Sequence, residues 1–184
     1  MNATYVEPDI LSSKSQLIVN NKVPNGFTTP LNETFEWIWL TNSVARNLID
    51  IRNAEHVLSS MRNSSPISME AHLEFLQRYM SLQRIDFVLV NKDTDEYVGG
   101  MNISLTGHGF EIGKYIGNLD YLGKGIAYPM SQNFIRYVND NLSEINNIRA
   151  VTRLDNAKNI NLNFKLGFKI IQRVENDYWL MGIV

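Results

Sequence analysis

The chain has 184 residues, 44% hydrophobic and 20% charged, with a net charge of −2 and no cysteine. This suits one domain with one core, gives no basic field for nucleic acid, excludes disulfides, thiolate metal sites and a cysteine nucleophile, and fits a reducing cytoplasm. No apolar run approaches the roughly 18 residues of a membrane span. Met1 to Asp9 has neither the basic nor the apolar region of a signal peptide, and His56, His72 and His108 are too scattered to suggest a metal site.

Residues 1 to about 33 differ from the remainder. Ser15 to Val19 predicts a short strand, and Val23 to Pro30, with two prolines and an Asn-Gly pair, predicts turn or loop. This arm reads as an extended segment packed on the domain, with a homodimer contact as the alternative. Thr34 to Leu40 is rich in strand formers and opens the domain proper, 34–184. Ser43 is placed to cap a helix through Leu48 and Ile51, and a short helical piece covers Val57 to Met61. After a loop at Asn63 to Pro66, Ser68 caps a helix that puts His72, Phe75, Leu76 and Tyr79 on one face. Asp86 to Asn91, Tyr97 to Leu105 and Phe110 to Ile116 then read as strands joined by tight turns, with Gly99-Gly100 marking a bulge.

The strand Phe110 to Ile116 runs into Asn118-Leu119-Asp120-Tyr121-Leu122-Gly123-Lys124-Gly125-Ile126-Ala127, and a helix follows from Ile126 to about Asn139. Strand, glycine loop and helix is the geometry of an anion cradle. Glycine lets the backbone approach closely, and the first N–H groups of a helix are unpaired and carry its positive dipole end. Pro129 suits the first helical turn, and Met130, Phe134 and Val138 form one apolar stripe. The Walker spacing and the third glycine of a dinucleotide fingerprint are both missing.

Ile148 to Leu154 alternates as a strand, expected to return parallel to the Phe110 strand by a right-handed crossover. In Asn156 to Leu166 the apolar residues alternate as in a strand but also form i,i+4 pairs. Asn161, Asn163 and Lys165 are poor strand residues, Asn156 can cap and Gly167 can terminate, so the segment reads as a helix. Phe168 to Val174 and Asp177 to Ile183 close the chain as a hairpin.

The loop Asp120-Tyr121-Leu122-Gly123-Lys124-Gly125, together with Asn156 and a Gly167-Phe168 pair eleven residues later, resembles the GNAT family of acyl-CoA N-acyltransferases. The resemblance covers roughly residues 34 to 184. It departs from the family at Asp120, where Gln or Arg is usual, and at Asn163, where many members place the tyrosine that protonates the departing thiolate. It implies an α+β (α/β/α) fold, with a central mixed, mostly antiparallel sheet splayed at the acyl-CoA site and flanked by helices. It also implies acetyl-CoA as co-substrate, transfer by direct attack of an amine, and no metal.

Under that resemblance, the pyrophosphate would rest on Leu122, Gly123, Lys124, Gly125, Ile126 and Ala127. Asn156 would reach the pantetheine arm, with Ile116, Lys158, Asn159 and Asn163 nearby. Glu111 is the candidate base, and Tyr115 a candidate proton donor beside Tyr121. The Arg52-Asn53 and Ile67 to Phe75 stretches resemble members that acetylate amino groups on nucleotide-linked sugars, where Arg52 and His72 would face the small-molecule acceptor. The alternatives are a branch acetylating ribosomal-protein N-termini and a member that binds acyl-CoA without turnover.

Overall fold

The structure is a computed structural model that describes residues 9–183. The signal-peptide reading of Met1 to Asp9 and the first residues of the arm therefore lie outside the described residues, Asp9 apart.

The arm opens with helix α1, Leu11–Val19, where a strand was expected at Ser15 to Val19. Tertiary packing decides it. Leu17 faces the core, and fully buried Lys14 donates to the carbonyls of Tyr79 and of Leu82, the latter at 3.2 Å, with Nζ 3.6 Å from the Tyr79 ring centroid. Burial lowers the Lys14 pKa to about 8, against the pull of Asp86. An unfolded lysine titrates near 10.4, so between about pH 8 and 10.4 the unfolded chain binds more protons, and stability rises with pH across that window. Lys14→Met should abolish this rise. Lys14→Ala, which opens a hole and strands two carbonyls, should cost about 2–4 kcal/mol in urea denaturation.

The predicted loop at Val23 to Pro30 contributes a two-residue edge strand, β1 (Phe27–Thr28). Then come β2 (Thr34–Trp39), α2 (Asn42–Arg52), α3 (Glu55–Leu58) and α4 (Met69–Arg78). Thr41, not Ser43, caps α2, because its side chain takes the Val44 N–H; Ser68 caps α4 as expected. The short helix α3 starts and ends earlier than the expected Val57 to Met61.

Strands β3 (Arg84–Asn91), β4 (Glu96–Thr106) and β5 (Gly109–Ile116) form an antiparallel meander, followed by α5 (Ala127–Asn141), β6 (Ile148–Arg153), α6 (Ala157–Lys165), β7 (Phe168–Val174) and β8 (Tyr178–Ile183). Asn156 caps α6 through the Asn159 N–H, and Gly167 follows the helix at φ 90°, which settles the strand-or-helix ambiguity. Among the described residues eight strands lie in the order β1-β2-β3-β4-β5-β6-β8-β7, and of these only β5 and β6 pair in parallel.

Two apolar layers clamp the sheet, because alternate residues of each strand face opposite ways. On one face the α5 stripe Met130, Phe134 and Val138 packs with Trp37, Phe87, Met101 and Ile112. On the other, Val44, Ala45 and Leu48 of α2 meet Val88 and Val90, flanked by Phe75 and Tyr115.

Two irregularities shape the centre. The β3–β4 register shifts between Leu89 and Val90, so Val98 is an extra residue beside the Gly99-Gly100 pair, a bulge as the glycines suggested. Beyond the pairs Phe110–Ile148 and Glu111–Arg149, β5 and β6 have no further paired residues. From Ile112 onward this side of β5 is open.

Candidate active site

A cleft of about 700 Å³ runs through this split. Residues from both sheet faces line it: Glu111, Gly113 and Tyr115 from one side of β5, and Ile112, Lys114 and Ile116 from the other. Its remaining walls include Met61 and Arg62 after α3, Leu122, Gly125 and Ala127 of the glycine loop, and Asn156, Lys158 and Asn159 of α6.

At the glycine loop, Gly123 and Gly125 both have φ +77°, and a Cβ added to either would meet nothing within 4 Å. Glycine is needed there for backbone conformation, and it leaves open space over the loop. Helix α5 starts without a side-chain cap and without an acidic residue in its first turn. Its leading N–H groups and positive dipole end are therefore available to an anion, which fits a diphosphate. Ile126 itself is buried in the core, and Lys124 points elsewhere. Its ammonium pairs with Glu33 Oε1 at 3.0 Å, tying the loop to the arm rather than adding charge to the cradle.

On α6, Asn156 both caps the helix and lines the cleft; Asn159 also lines it while donating to Thr152 Oγ1 at 3.1 Å. Asn163 is fully buried and lies behind the cleft wall. Its amide donates to Thr152 Oγ1 at 3.0 Å, and its Oδ1 accepts from Lys114 Nζ at 2.8 Å. The Lys114 ammonium is thus joined to β6 across the split. Burial alone lowers its pKa to about 8.

Glu111 is buried at the last β5–β6 pair. Its Oε2 accepts from Arg62 Nη2 at 3.0 Å and its Oε1 from the Thr106 hydroxyl. Tyr115 lines the cleft, but its ring lies over Gly100, where a Cβ would come within 3.3 Å of the phenol oxygen. Burial holds that phenol well above the ordinary tyrosine range, which makes it a poor proton donor at neutral pH. The Tyr121 hydroxyl is committed to Asn91 at 2.9 Å and Glu96 at 2.6 Å, away from the cleft.

Arg52 and His72 are not in the cleft wall. Arg52 lies behind it, its guanidinium 5.5 Å from the Tyr115 ring centroid, and His72 stacks on Phe75 at 6.2 Å. Arg52 Nη1 and His72 Nε2 have no hydrogen-bond partner among the described residues.

Sequence reasoning missed Lys114, Arg62, Ser104 and Tyr178, all of which line the cleft. Lys114 had a signal: it is the one charged residue in the inward row Phe110, Ile112, Lys114, Ile116. Arg62 had none, since only folding brings its loop to Glu111.

Comparison with solved structures returns the same fold. A domain from Methanocaldococcus jannaschii DSM 2661 is 20% identical, with TM-score 0.70, covering 82% of this chain and 98% of that one. Spermidine N-acetyltransferase from Vibrio cholerae, in complex with CoA and spermine, is 17% identical, with TM-score 0.70 and coverage of 81% and 94%. Aminoglycoside acetyltransferase AAC(6')-Ib in complex with coenzyme A is 14% identical, with TM-score 0.67 and coverage of 80% and 93%. Comparison with curated proteins gave no match. The family model for the acetyltransferase (GNAT) domain matches residues 39–169. That match takes in the split strands, the glycine loop and α6, and on it the chain belongs to the GNAT family and is an acetyl-CoA-dependent N-acetyltransferase.

Proposed function

We propose that this enzyme acetylates a primary amine on a small acceptor carrying no excess positive charge, best matched by an amino group on a nucleotide-linked sugar. The charge of the cleft carries the reading. Its wall includes Arg62, Lys114, Arg153, Lys158 and Lys165, while among the described residues Glu111 is the one carboxylate lining it and is already paired with Arg62. A polyamine or a basic N-terminal peptide would find no free carboxylate there, whereas a phosphorylated acceptor would find cations.

Acetyl-CoA supplies the acetyl group as a thioester. The glycine loop and the α5 N-terminus hold its diphosphate, and Asn156 with the open side of β5 orients the pantetheine arm. Backbone N–H groups around Lys114 to Ile116 polarise the carbonyl. Glu111 receives the amine proton, directly or through one water. Of the acceptor residues suggested by the sequence, Arg52 would act through Tyr115 rather than by direct contact, and His72, stacked on Phe75, would support that layer.

A free-thiol assay over four acceptors tests this: a nucleotide-linked amino sugar, spermidine, kanamycin and a ribosomal-protein N-terminal peptide. Turnover with the sugar nucleotide is expected. Turnover confined to the peptide or the polycations would overturn the reading. A cytoplasmic location, supported by the cysteine-free composition, belongs to the same proposal. So does a homodimer contact through the arm, suggested by exposed Val19 and Leu31 and tested by analytical ultracentrifugation.

A further inference from the structure

We propose that Lys114, held by Asn163 across the split between β5 and β6, is the group that protonates the departing thiolate. The inference rests on acetyl transfer in this cleft and not on the identity of the acceptor.

Three observations lead to it. The α6 position that carries a tyrosine in many relatives is Asn163, whose amide ends short of where a phenol hydroxyl would be and cannot supply a proton at neutral pH. From behind the cleft wall that amide reaches the cleft through a lysine: its Oδ1 accepts from Lys114 Nζ at 2.8 Å, and Lys114 lines the cleft. The amide is itself fixed from behind by Thr152 Oγ1 at 3.0 Å and by the Met181 sulfur at 3.6 Å, so the lysine is oriented by a buried chain of contacts rather than left mobile.

The charged groups around the cleft leave this ammonium alone. Glu111 pairs with Arg62, Arg153 pairs with Asp155 at 2.7 Å, and burial is the only cause of the lysine's lowered pKa, about 8. An ordinary thiol titrates near 8.5. Donor and acceptor are therefore nearly matched, the condition in which proton transfer is most effective. The competing donors are worse: Tyr115 is held well above its usual range and Tyr121 is turned away.

The step balances. The amine nitrogen bonds to the acetyl carbon, the carbon–sulfur bond breaks, and its electron pair goes to sulfur. Lys114 gives one proton from Nζ to that sulfur and is left neutral, while the amine proton leaves by Glu111. Solvent in the cleft then returns a proton to Lys114.

The test begins without any acceptor. Acetic anhydride labelling of the free protein, read by mass spectrometry against pH, should place the midpoint of Lys114 near 8, not near the ordinary lysine value of about 10.4. With CoA alone bound, ultraviolet thiolate absorbance should titrate at lower pH in the wild type than in Lys114→Met. Lys114→Arg keeps the positive charge but cannot release a proton. It should retain the low thiol titration and still lose about 10²-fold in kcat. In Lys114→Met/Asn163→Tyr, the phenol should restore most of the kcat lost in Lys114→Met. An ordinary midpoint for Lys114, a CoA thiol titration unmoved by Lys114→Met, or full kcat in Lys114→Arg would each overturn the proposal. Because the first two readouts need no amine, they stand even if the sugar-nucleotide reading fails.

Discussion

Glu111→Gln should lower kcat at neutral pH by about 10²-fold or more and leave acetyl-CoA affinity nearly intact. A positioned general base contributes on the order of 10²–10⁴-fold, and an amine acceptor is mostly protonated at neutral pH. Among the described residues Glu111 is the one carboxylate lining the cleft, and it sits where β5 and β6 part. Arg62 and Thr106 each take one of its oxygens, but a carboxylate oxygen accepts more than one hydrogen bond, so a lone pair remains for the amine or a bridging water. The deficit should shrink as pH rises and the amine loses its proton in solution. A pH series of kcat and KM separates this from the other role the ion pair allows. If Glu111 serves only to clamp Arg62 against the acceptor, Glu111→Gln raises KM and leaves kcat unchanged across the range.

Most of the architecture was legible because local signals and tertiary contacts agreed. In the strand–glycine loop–helix unit the alternation gives β5 and the Met130-Phe134-Val138 stripe packs in the core, both as expected, and the two loop glycines between them take positive φ. Asn156 and Gly167 identified α6 from its ends when its apolar pattern was ambiguous. The errors fall where long-range packing prevails over local preference. Ser15 to Val19 has strand-forming residues, yet Lys14 and Leu17 must both turn inward, and only a helix puts positions three apart on one face. The site was half legible. Backbone-built parts, such as the open glycine loop ahead of the uncapped α5, follow from glycine spacing. Parts built by side chains meeting across the sheet do not: Arg62 on Glu111 spans 49 positions, and Lys114 on Asn163 another 49. Arg52 and His72, taken from the resemblance of their stretches to amino-sugar-nucleotide acetylating members, are not in the cleft wall. Tyr115, which connects Arg52 to it, is on a strand read for other reasons.

Gly125→Asp should weaken acetyl-CoA binding at least tenfold more than Gly125→Asn does, a difference of about 1.4 kcal/mol or greater by calorimetry. The pair isolates charge from strain. At φ +77° every side chain costs some backbone energy, but Asn and Asp are the residues that tolerate the left-handed region best, and they differ little in size. A Cβ at this position meets nothing within 4 Å, so neither variant disturbs the fold through a clash, and both project into the space above the loop. The asparagine variant therefore reports strain and bulk. The aspartate variant adds one negative charge beside the uncapped start of α5, where the diphosphate is expected to rest. Repulsion between the two should also be screened by salt, so the gap between the variants should narrow as ionic strength rises from about 0.01 M to 1 M. Equal affinities in folded Asn and Asp variants at low salt would remove the diphosphate from this loop and leave the α6 side of the cleft, with Lys158 and Lys165, to hold it.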